Sequence, residues 1–128
     1  SQNEKKLLTQ LLEAFRKAGL QSPSVQQCHD QTMKNQESVR QLLTLAVEHG
    51  DLVEIATDYF LHADVERETR ALLRERLASG SGLTISEIRE ILNTTRKYAV
   101  PLCEYFDRIG FTQRRGDVRV LADARISS

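Results

Sequence analysis

The chain has 128 residues, of which 40% are hydrophobic and 28% charged, and its 18 basic residues balance its 18 acidic ones. This length suits one average domain or two small ones, and the composition is that of a globular protein rather than a disordered or membrane-embedded one. No run approaches the roughly 18 apolar residues that span a bilayer, and no signal-peptide pattern opens the chain.

The residues that usually carry catalysis or bind metals form no recognisable motif. Cys28 and Cys103 are far apart, so we expect free thiols in a reducing, cytoplasmic setting. The adjacent Cys28 and His29 lack further ligands at metal-binding spacing, so we expect no metal site. No P-loop and no nucleophilic triad stands out, and we predict that the chain is not an enzyme. Because it starts with Ser1 rather than Met, we also expect a fragment or a processed form.

The first half of the chain predicts three helices followed by two strands. Two stretches with apolar residues at helical spacing end at Gly19 and Gly50, and Pro23 separates them. Ser24 and Gln27 have the spacing of a capping box, which predicts a short helix between the two longer ones. The predicted helices cover residues 4–19, 24–31 and 36–49, and the strands cover 52–55 and 59–61.

The second half predicts the same order of elements. Thr84 and Glu87 form a second capping box, and Gly110 ends the third helix of this half. Gly116 and Asp117 then predict a tight hairpin turn of type I′. The predicted helices cover residues 64–78, 84–92 and 96–109, the hairpin strands cover 111–114 and 118–121, and residues 79–82 are expected to form a hinge.

The two halves form an internal repeat with an offset of about 60 residues, in which Gly50 matches Gly110 and Asp58 matches Asp117. A helix-turn-helix followed by a hairpin is the winged-helix arrangement. We therefore predict a mainly α fold with small β-hairpins, built from two tandem winged-helix domains. The predicted domains are residues 1–62 and residues 63–128.

Charge is distributed unevenly between the halves. Residues 1–62 carry 6 Lys/Arg and 8 Asp/Glu, a net of −2, whereas residues 63–128 carry 12 and 10, a net of +2. Within residues 94–121 the count is 6 basic and 3 acidic, a net of +3. A positive potential is therefore expected locally, in the second half.

Two cations mark the start of the third helix of the second half. Arg96 and Lys97 face the positive end of the helix dipole, which is mildly unfavourable unless an anion binds there. Thr94 and Thr95 add hydroxyl donors to the same turn, and free N–H groups at a helix start bind phosphate well. The alternative is an ordinary solvated helix end. Tyr98 suits either the core or a stacking contact.

A second basic cluster lies in the hairpin. Arg114 and Arg115 should point to opposite faces of the strand, so these two and Arg119 are not expected to share one face. At least one of them could simply protect the hairpin edge from aggregation. Gly116 would let a ligand approach the backbone closely. Asp117 could accept a hydrogen bond from a guanine edge.

The corresponding segments of the first half lack this basic character. The turn before its third helix runs from Lys34 to Glu37, and its hairpin, from Glu54 to Asp58, is acidic. We therefore expect a spacer or protein-facing role for the first domain.

In the second half, Pro101 leaves the carbonyl of Lys97 without a helical N–H donor, so the third helix either starts later than Arg96 or bends.

The run TRKYAVPLCEYFDRIGFTQRRGDVRVL, together with ISEIREILN before it, closely resembles the C-terminal end of the bacterial selenocysteine-specific elongation factors. The resemblance implies a winged-helix fragment of a GTPase that carries selenocysteyl-tRNA. In that family the C-terminal winged helices bind an mRNA hairpin, the selenocysteine insertion element, beside a UGA codon. One departure is Gln113, where the family often has arginine, which leaves Arg115 as a substitute.

The resemblance also implies which residues contact RNA and which partners to expect. The implied contacts are Thr95, Arg96, Lys97, Arg114, Gly116, Asp117 and Arg119, with Thr94, Tyr98 and Arg115 as secondary candidates. The expected partners are an mRNA hairpin and, through the parent factor, ribosome-bound mRNA. We expect a cytoplasmic monomer without membrane contact, whose GTP and Mg²⁺ are bound only by the GTPase part of that factor. The alternatives are a DNA-binding winged-helix regulator and a protein-interaction module.

Overall fold

The computed structural model describes residues 2–122, which form six helices and five strands. The chain divides into two compact units between Arg67 and Glu68. The elements are α1 Gln2–Ala18, α2 Val25–Thr32, α3 Gln36–Glu48, β1 Leu52–Ala56, β2 Tyr59–His62, α4 Ala63–Leu77, β3 Leu83–Thr84, α5 Ile85–Leu92, α6 Arg96–Arg108, β4 Thr112–Arg115 and β5 Val118–Leu121. The prediction of a mainly helical fold with small hairpins is confirmed, and the boundary between units lies inside α4 rather than at its start.

The first unit packs α1, α2 and α3 against the β1–β2 hairpin. The capping box of Ser24 and Gln27 is present at the start of α2. Asp58, in the hairpin turn, adds a second cap, because its Oδ1 accepts a hydrogen bond from the Val25 N–H at 2.8 Å. The turn of this hairpin is thus bonded to the start of α2. The core of the unit contains Leu11, Phe15, Val25, Cys28, Val39, Leu42, Leu43, Ala46 and Leu52.

The second unit packs α5 and α6 against a three-stranded sheet in the order β3-β5-β4. The capping box of Thr84 and Glu87 is present at the start of α5. Strand β3 was not predicted, because two residues are too few to show an alternating pattern. Gly82 permits the pairing: a Cβ there would lie 2.8 Å from Val118 Cγ2, and its φ of +84° favours glycine.

The two units end their third helices in the same way. In each unit three backbone N–H groups turn back onto the last turn of the helix, with N···O distances between 2.9 and 3.1 Å. The donor–acceptor pairs are His49–Leu45, Gly50–Val47 and Asp51–Ala46 in the first unit, and Ile109–Tyr105, Gly110–Asp107 and Phe111–Phe106 in the second. Each residue in these three hydrogen bonds lies 60 positions after its counterpart in the first unit, so the bonds align the predicted repeat residue by residue.

The hairpins then align by their register. Glu54 pairs with Phe60 in the first unit, and Arg114 pairs with Arg119 in the second. The first hairpin holds one extra residue at an irregularity between Glu54 and Ala56, so the offset falls to 59 after the turn. Position by position, Phe60 of the first unit therefore corresponds to Arg119 of the second.

The turn of the second hairpin differs from its prediction. Gly116 has a φ of +65°, whereas Asp117 is not among the residues with positive φ. A type I′ turn needs positive φ at both central positions, and a type II′ turn needs it at the first alone. The turn thus follows the II′ pattern, because Asp117 keeps an ordinary backbone conformation.

Helix α6 contains Pro101 and nevertheless begins at Arg96. Of the two alternatives that Pro101 left open, a later start is therefore excluded. The proline lies at the sixth position of the helix, beyond the first turn, whose N–H groups need no helical partner.

None of the helices in the described part of the chain is both long enough and apolar enough to cross a membrane.

Candidate nucleic-acid interface

The start of α6 has no side-chain cap. Thr95 occupies the N-cap position with a φ of −114°, and its side chain makes no capping hydrogen bond. The corresponding residue of the first unit, Asn35, accepts a hydrogen bond from the Ser38 N–H at 2.8 Å through its side chain. The first two N–H groups of α6 have no acceptor in the helix, because helical hydrogen bonding reaches back four residues. The third N–H group of α6, that of Tyr98, donates to the Thr95 carbonyl at 3.1 Å. The start of α6 therefore offers its first two N–H groups to an anion with no capping side chain beside them, whereas the Asn35 side-chain oxygen occupies the start of α3.

Cations surround this uncapped end. Arg96 and Lys97 are both exposed, and the first turn of α6 contains no acidic residue. The Lys97 Nζ lies 5.3 Å from the centroid of the Tyr98 ring, which is a cation–π distance. The ring is half-buried, so it directs the ammonium group while keeping it in solvent. Together these groups form a positive surface at the helix start.

Thr94 does not belong to that surface. It is 7% exposed, and its Oγ1 has no hydrogen-bond partner within the described residues. Its backbone N–H donates to the Arg89 carbonyl at 3.1 Å and so closes the end of α5. The expectation that Thr94 and Thr95 both present hydroxyl groups at this turn is wrong for Thr94, because the turn between α5 and α6 directs its side chain inwards.

The turn of the second hairpin is the other exposed basic surface. Arg114 and Arg115 are exposed, as are Gly116 and Asp117. The Arg114 Nε donates to the Gly116 carbonyl at 2.9 Å, which holds the guanidinium close to the turn. No atom beyond the neighbouring residues lies within 4 Å of the position that a Gly116 Cβ would take, so the backbone there is open to a ligand. Arg115 pairs with Val118, on the face opposite to Arg114, as expected.

Arg119 differs from the other predicted contacts, because it is buried. It is 4% exposed, and its Nη2 donates to Asp107 Oδ2 at 2.8 Å, with Nε at 3.2 Å from the same oxygen. Hydrogen bonding to Asp107 raises the pKa of the Arg119 guanidinium above its ordinary value. The resemblance implied that Arg119 contacts RNA, but its guanidinium is buried against Asp107 of α6, whereas Arg114, its partner in register, is exposed.

Asp107 and Thr112 were missed in the sequence analysis. The Thr112 Oγ1 donates to Asp107 Oδ1 at 2.7 Å, so this carboxylate binds side chains from both strands of the hairpin. One indication was available in the sequence. An acidic residue in the last turn of a helix meets the negative end of the dipole, which is unfavourable without a compensating cation.

Other chemistry is not indicated by this geometry. No group of three or more His, Cys, Asp or Glu side chains that could hold a metal occurs within residues 2–122. Burial raises the pKa of both Cys28 and Cys103 to about 11, so both thiols are protonated at neutral pH. A protonated thiol is a poor nucleophile.

Comparison with known proteins gives consistent matches. Residues 75–121 match the family model of the winged helix of elongation factor SelB. The chain is 29% identical over 123 residues to the selenocysteine-specific elongation factor of Haemophilus influenzae, covering 96% of this chain and 20% of that protein. It is 32% identical over 94 residues to the factor of Escherichia coli, covering 73% of this chain and 15% of that protein. The chain thus spans about a fifth or less of the length of these relatives.

Solved structures match over nearly the whole chain. The mRNA-binding domain of elongation factor SelB from E. coli, in complex with SECIS RNA, aligns with a TM-score of 0.80 and 28% identity, covering 94% of this chain and 98% of that one. A bacterial selenocysteine-specific elongation factor aligns with a TM-score of 0.75 and 21% identity over 96% of this chain and 20% of that one, which supports the fold. These matches confirm the resemblance to SelB and its mRNA-binding domain and extend it across the first unit.

Proposed function

We propose that this chain binds an mRNA hairpin, the selenocysteine insertion element, and thereby tethers a selenocysteine-specific elongation factor at a UGA codon. The similar domain from E. coli is in complex with SECIS RNA and aligns over 94% of this chain. The chain covers only 20% or less of the length of its curated relatives, so GTP and Mg²⁺ are assigned to other parts of the parent factor. In this proposal the chain contributes binding and no catalysis.

The observation that carries the proposal is the uncapped, positively charged start of α6. A phosphate placed there would accept hydrogen bonds from the free N–H groups, benefit from the helix dipole and pair with Arg96 and Lys97. The same position in the first unit holds a capping side chain, Asn35, followed by Glu37 in the first turn. The unit that matches the SelB family model is therefore also the unit whose helix start is available to an anion.

An RNA hairpin suits this geometry better than a DNA duplex. The A-form major groove is too narrow for side chains to read, so proteins recognise RNA hairpins through phosphates and unpaired loop bases. We assign the phosphates to Thr95, Arg96, Lys97 and Arg114, and a splayed loop base to the open turn at Gly116 and Asp117. The exposed Glu104 on α6 would oppose insertion of that helix into a DNA groove.

We further propose that both units are winged-helix domains in tandem and that they have different roles. Each has three helices followed by a hairpin, with the same hydrogen bonds at the end of the third helix. The second would bind RNA, and the first would act as a spacer or protein-facing module, consistent with its net charge of −2 over residues 1–62. The chain would act as a cytoplasmic monomer that reaches ribosome-bound mRNA through its parent factor.

Titration of the 128-residue chain with three nucleic acids tests the function. These are a selenocysteine insertion hairpin from the same genome, a scrambled hairpin of equal length and a DNA duplex, each at two salt concentrations. We expect the cognate hairpin to bind most tightly. Equal or tighter binding of the duplex would overturn the RNA assignment and favour the DNA-binding alternative.

A lysine variant with a matched control tests the site. Lys97→Ala should weaken hairpin binding and reduce the slope of log K against log salt concentration by about one unit, as the loss of one phosphate contact does. Arg40→Ala removes one exposed charge from α3 in the first unit and should leave both quantities unchanged. Equal effects of the two substitutions would show that the interface is not at the start of α6.

A further inference from the structure

Three polar side chains join the second hairpin to the end of α6. The carboxylate of Asp107, in the last turn of α6, accepts hydrogen bonds from Thr112 on β4 at 2.7 Å and from Arg119 on β5 at 2.8 Å. One carboxylate therefore accepts hydrogen bonds from both strands: from Thr112 at Oδ1, and from Arg119 mainly at Oδ2, with Nε also 3.5 Å from Oδ1. We call Asp107, Thr112 and Arg119 the polar triad.

The first unit builds the same junction from apolar residues. The helix-end hydrogen bonds align Val47 with Asp107, and the start of the hairpin aligns Leu52 with Thr112. The register of the second strand aligns Phe60 with Arg119. Leu52 is 2% exposed, and Val47 and Phe60 pack against the same core. We call these three residues the apolar triad.

The first unit shows that this fold does not require a polar triad at these positions. The two units share the hydrogen bonds at the end of the third helix. Yet the aligned positions hold a hydrogen-bonded ion pair in the second unit and apolar side chains packed against the core in the first. Burying an ion pair costs so much desolvation that well-packed apolar replacements are often neutral or stabilising. Stability alone therefore gives no reason for Asp107 and Arg119 to occupy these positions in the second unit.

The polar triad adds directional hydrogen bonds between α6 and the hairpin. Apolar contacts are non-directional, whereas the paired hydrogen bonds of a guanidinium and a carboxylate restrict both distance and angle. Arg119 lies opposite Arg114 in register, and Arg114 in turn donates to the Gly116 carbonyl at 2.9 Å. Side-chain hydrogen bonds at Asp107 and Arg114, linked by the strand pairing of Arg114 with Arg119, thus connect the end of α6 to the hairpin turn proposed to bind RNA.

We propose that the polar triad positions the second hairpin relative to α6 for RNA recognition, and that Arg119 acts through this arrangement rather than by binding phosphate. This inference rests on the proposed function and deepens it, because it names positioning residues of the same interface. It converts Arg119 from a predicted contact into a buried residue whose charge Asp107 neutralises.

Removal of the carboxylate distinguishes positioning from direct contact. Asp107→Ala would free Arg119 and remove a negative charge, so hairpin binding should tighten if Arg119 binds phosphate. If the polar triad positions the hairpin, Asp107→Ala and Arg119→Ala should each weaken binding about tenfold, with little change in the salt slope. The double substitution should then be no weaker than either single one, because the two residues act as a unit.

Replacing the polar triad by the residues of the apolar triad tests the proposal in a variant whose second unit is expected to fold. The triple variant Asp107→Val, Thr112→Leu and Arg119→Phe should unfold cooperatively with a Tm close to that of the unsubstituted chain, yet bind the hairpin about tenfold more weakly. The matched control exchanges Leu52 for valine in the first unit and should leave hairpin affinity unchanged. Affinity of the triple variant equal to that of the unsubstituted chain would overturn the proposal.

A measurement without RNA separates this inference from the proposed function. The backbone amides of Arg115 and Gly116 should become more mobile in the triple variant, as judged by ¹⁵N relaxation. If the unsubstituted chain fails to prefer the cognate hairpin, the proposed function fails, and these amides alone decide whether the polar triad positions the hairpin. Unchanged relaxation would overturn the positioning role.

Discussion

The two units of this chain share a backbone and differ at the positions where a nucleic acid would bind. Their third helices end with the same three hydrogen bonds, offset by 60 residues. At the start of those helices, Asn35 caps α3, whereas Thr95 leaves α6 uncapped. Under the proposed function, the backbone that the two units share is therefore not sufficient to make an RNA-binding site. Helix capping, local charge and the polar triad distinguish the second unit.

The largest expected effects concern whether each unit has its own core. Phe106→Ala in the second unit should lower the free energy of unfolding by about 3–5 kcal/mol, and Leu43→Ala in the first by about 2–5 kcal/mol, because both side chains are fully buried. Amide hydrogen exchange, followed residue by residue, should show lost protection mainly in the substituted unit. Equal loss of amide protection in both units would mean that the two units unfold together as one cooperative body.

The next largest effect is expected when the charged residues at the start of α6 are replaced by those at the start of α3. Arg96→Gln with Lys97→Glu gives α6 the residues that α3 has at positions 36 and 37. Loss of two charge-assisted contacts, at roughly 1.5 kcal/mol each, should weaken hairpin binding about 100-fold or more. The reciprocal exchange in α3, Gln36→Arg with Glu37→Lys, is the control. If it restores binding to a chain that lacks the α6 cations, the second unit is not the specific site.

The smallest effect tests the cap itself. Thr95→Asn should let the side chain cap α6 as Asn35 caps α3, which would stabilise the unit by about 0.5 kcal/mol. The new cap would occupy the position of the bound phosphate and weaken hairpin binding roughly threefold. Thermal unfolding and titration together measure both changes. Tighter RNA binding, or binding that is unchanged while stability rises, would contradict the role of the free helix start.

Much of the fold could be predicted because its determinants are local. Ser24 with Gln27 and Thr84 with Glu87 are capping boxes within four residues of sequence, and both are present. Apolar spacing and terminal glycines located the long helices to within about two residues. Strand β3 escaped prediction because it is defined by pairing with β5, which lies more than 30 residues further along the chain.

The site could be predicted only in part. Arg96 and Lys97 lie at an exposed helix start, which the sequence placed correctly because a helix boundary is a local property. Arg114 and Arg119 belong to the same hairpin, and the resemblance implied that both contact RNA. They differ because Asp107 lies on another element, at a distance that only packing determines.

Local patterns in the sequence predicted the order of the helices and hairpins, the repeat of 60 residues and the position of the basic segment. These follow from periodicity, capping and turn chemistry, which act over a few residues. The tertiary structure decided which cations remain free. A charge is available to a ligand only if no partner reaches it, and the partner of Arg119 is brought there by the packing of α6 against the hairpin.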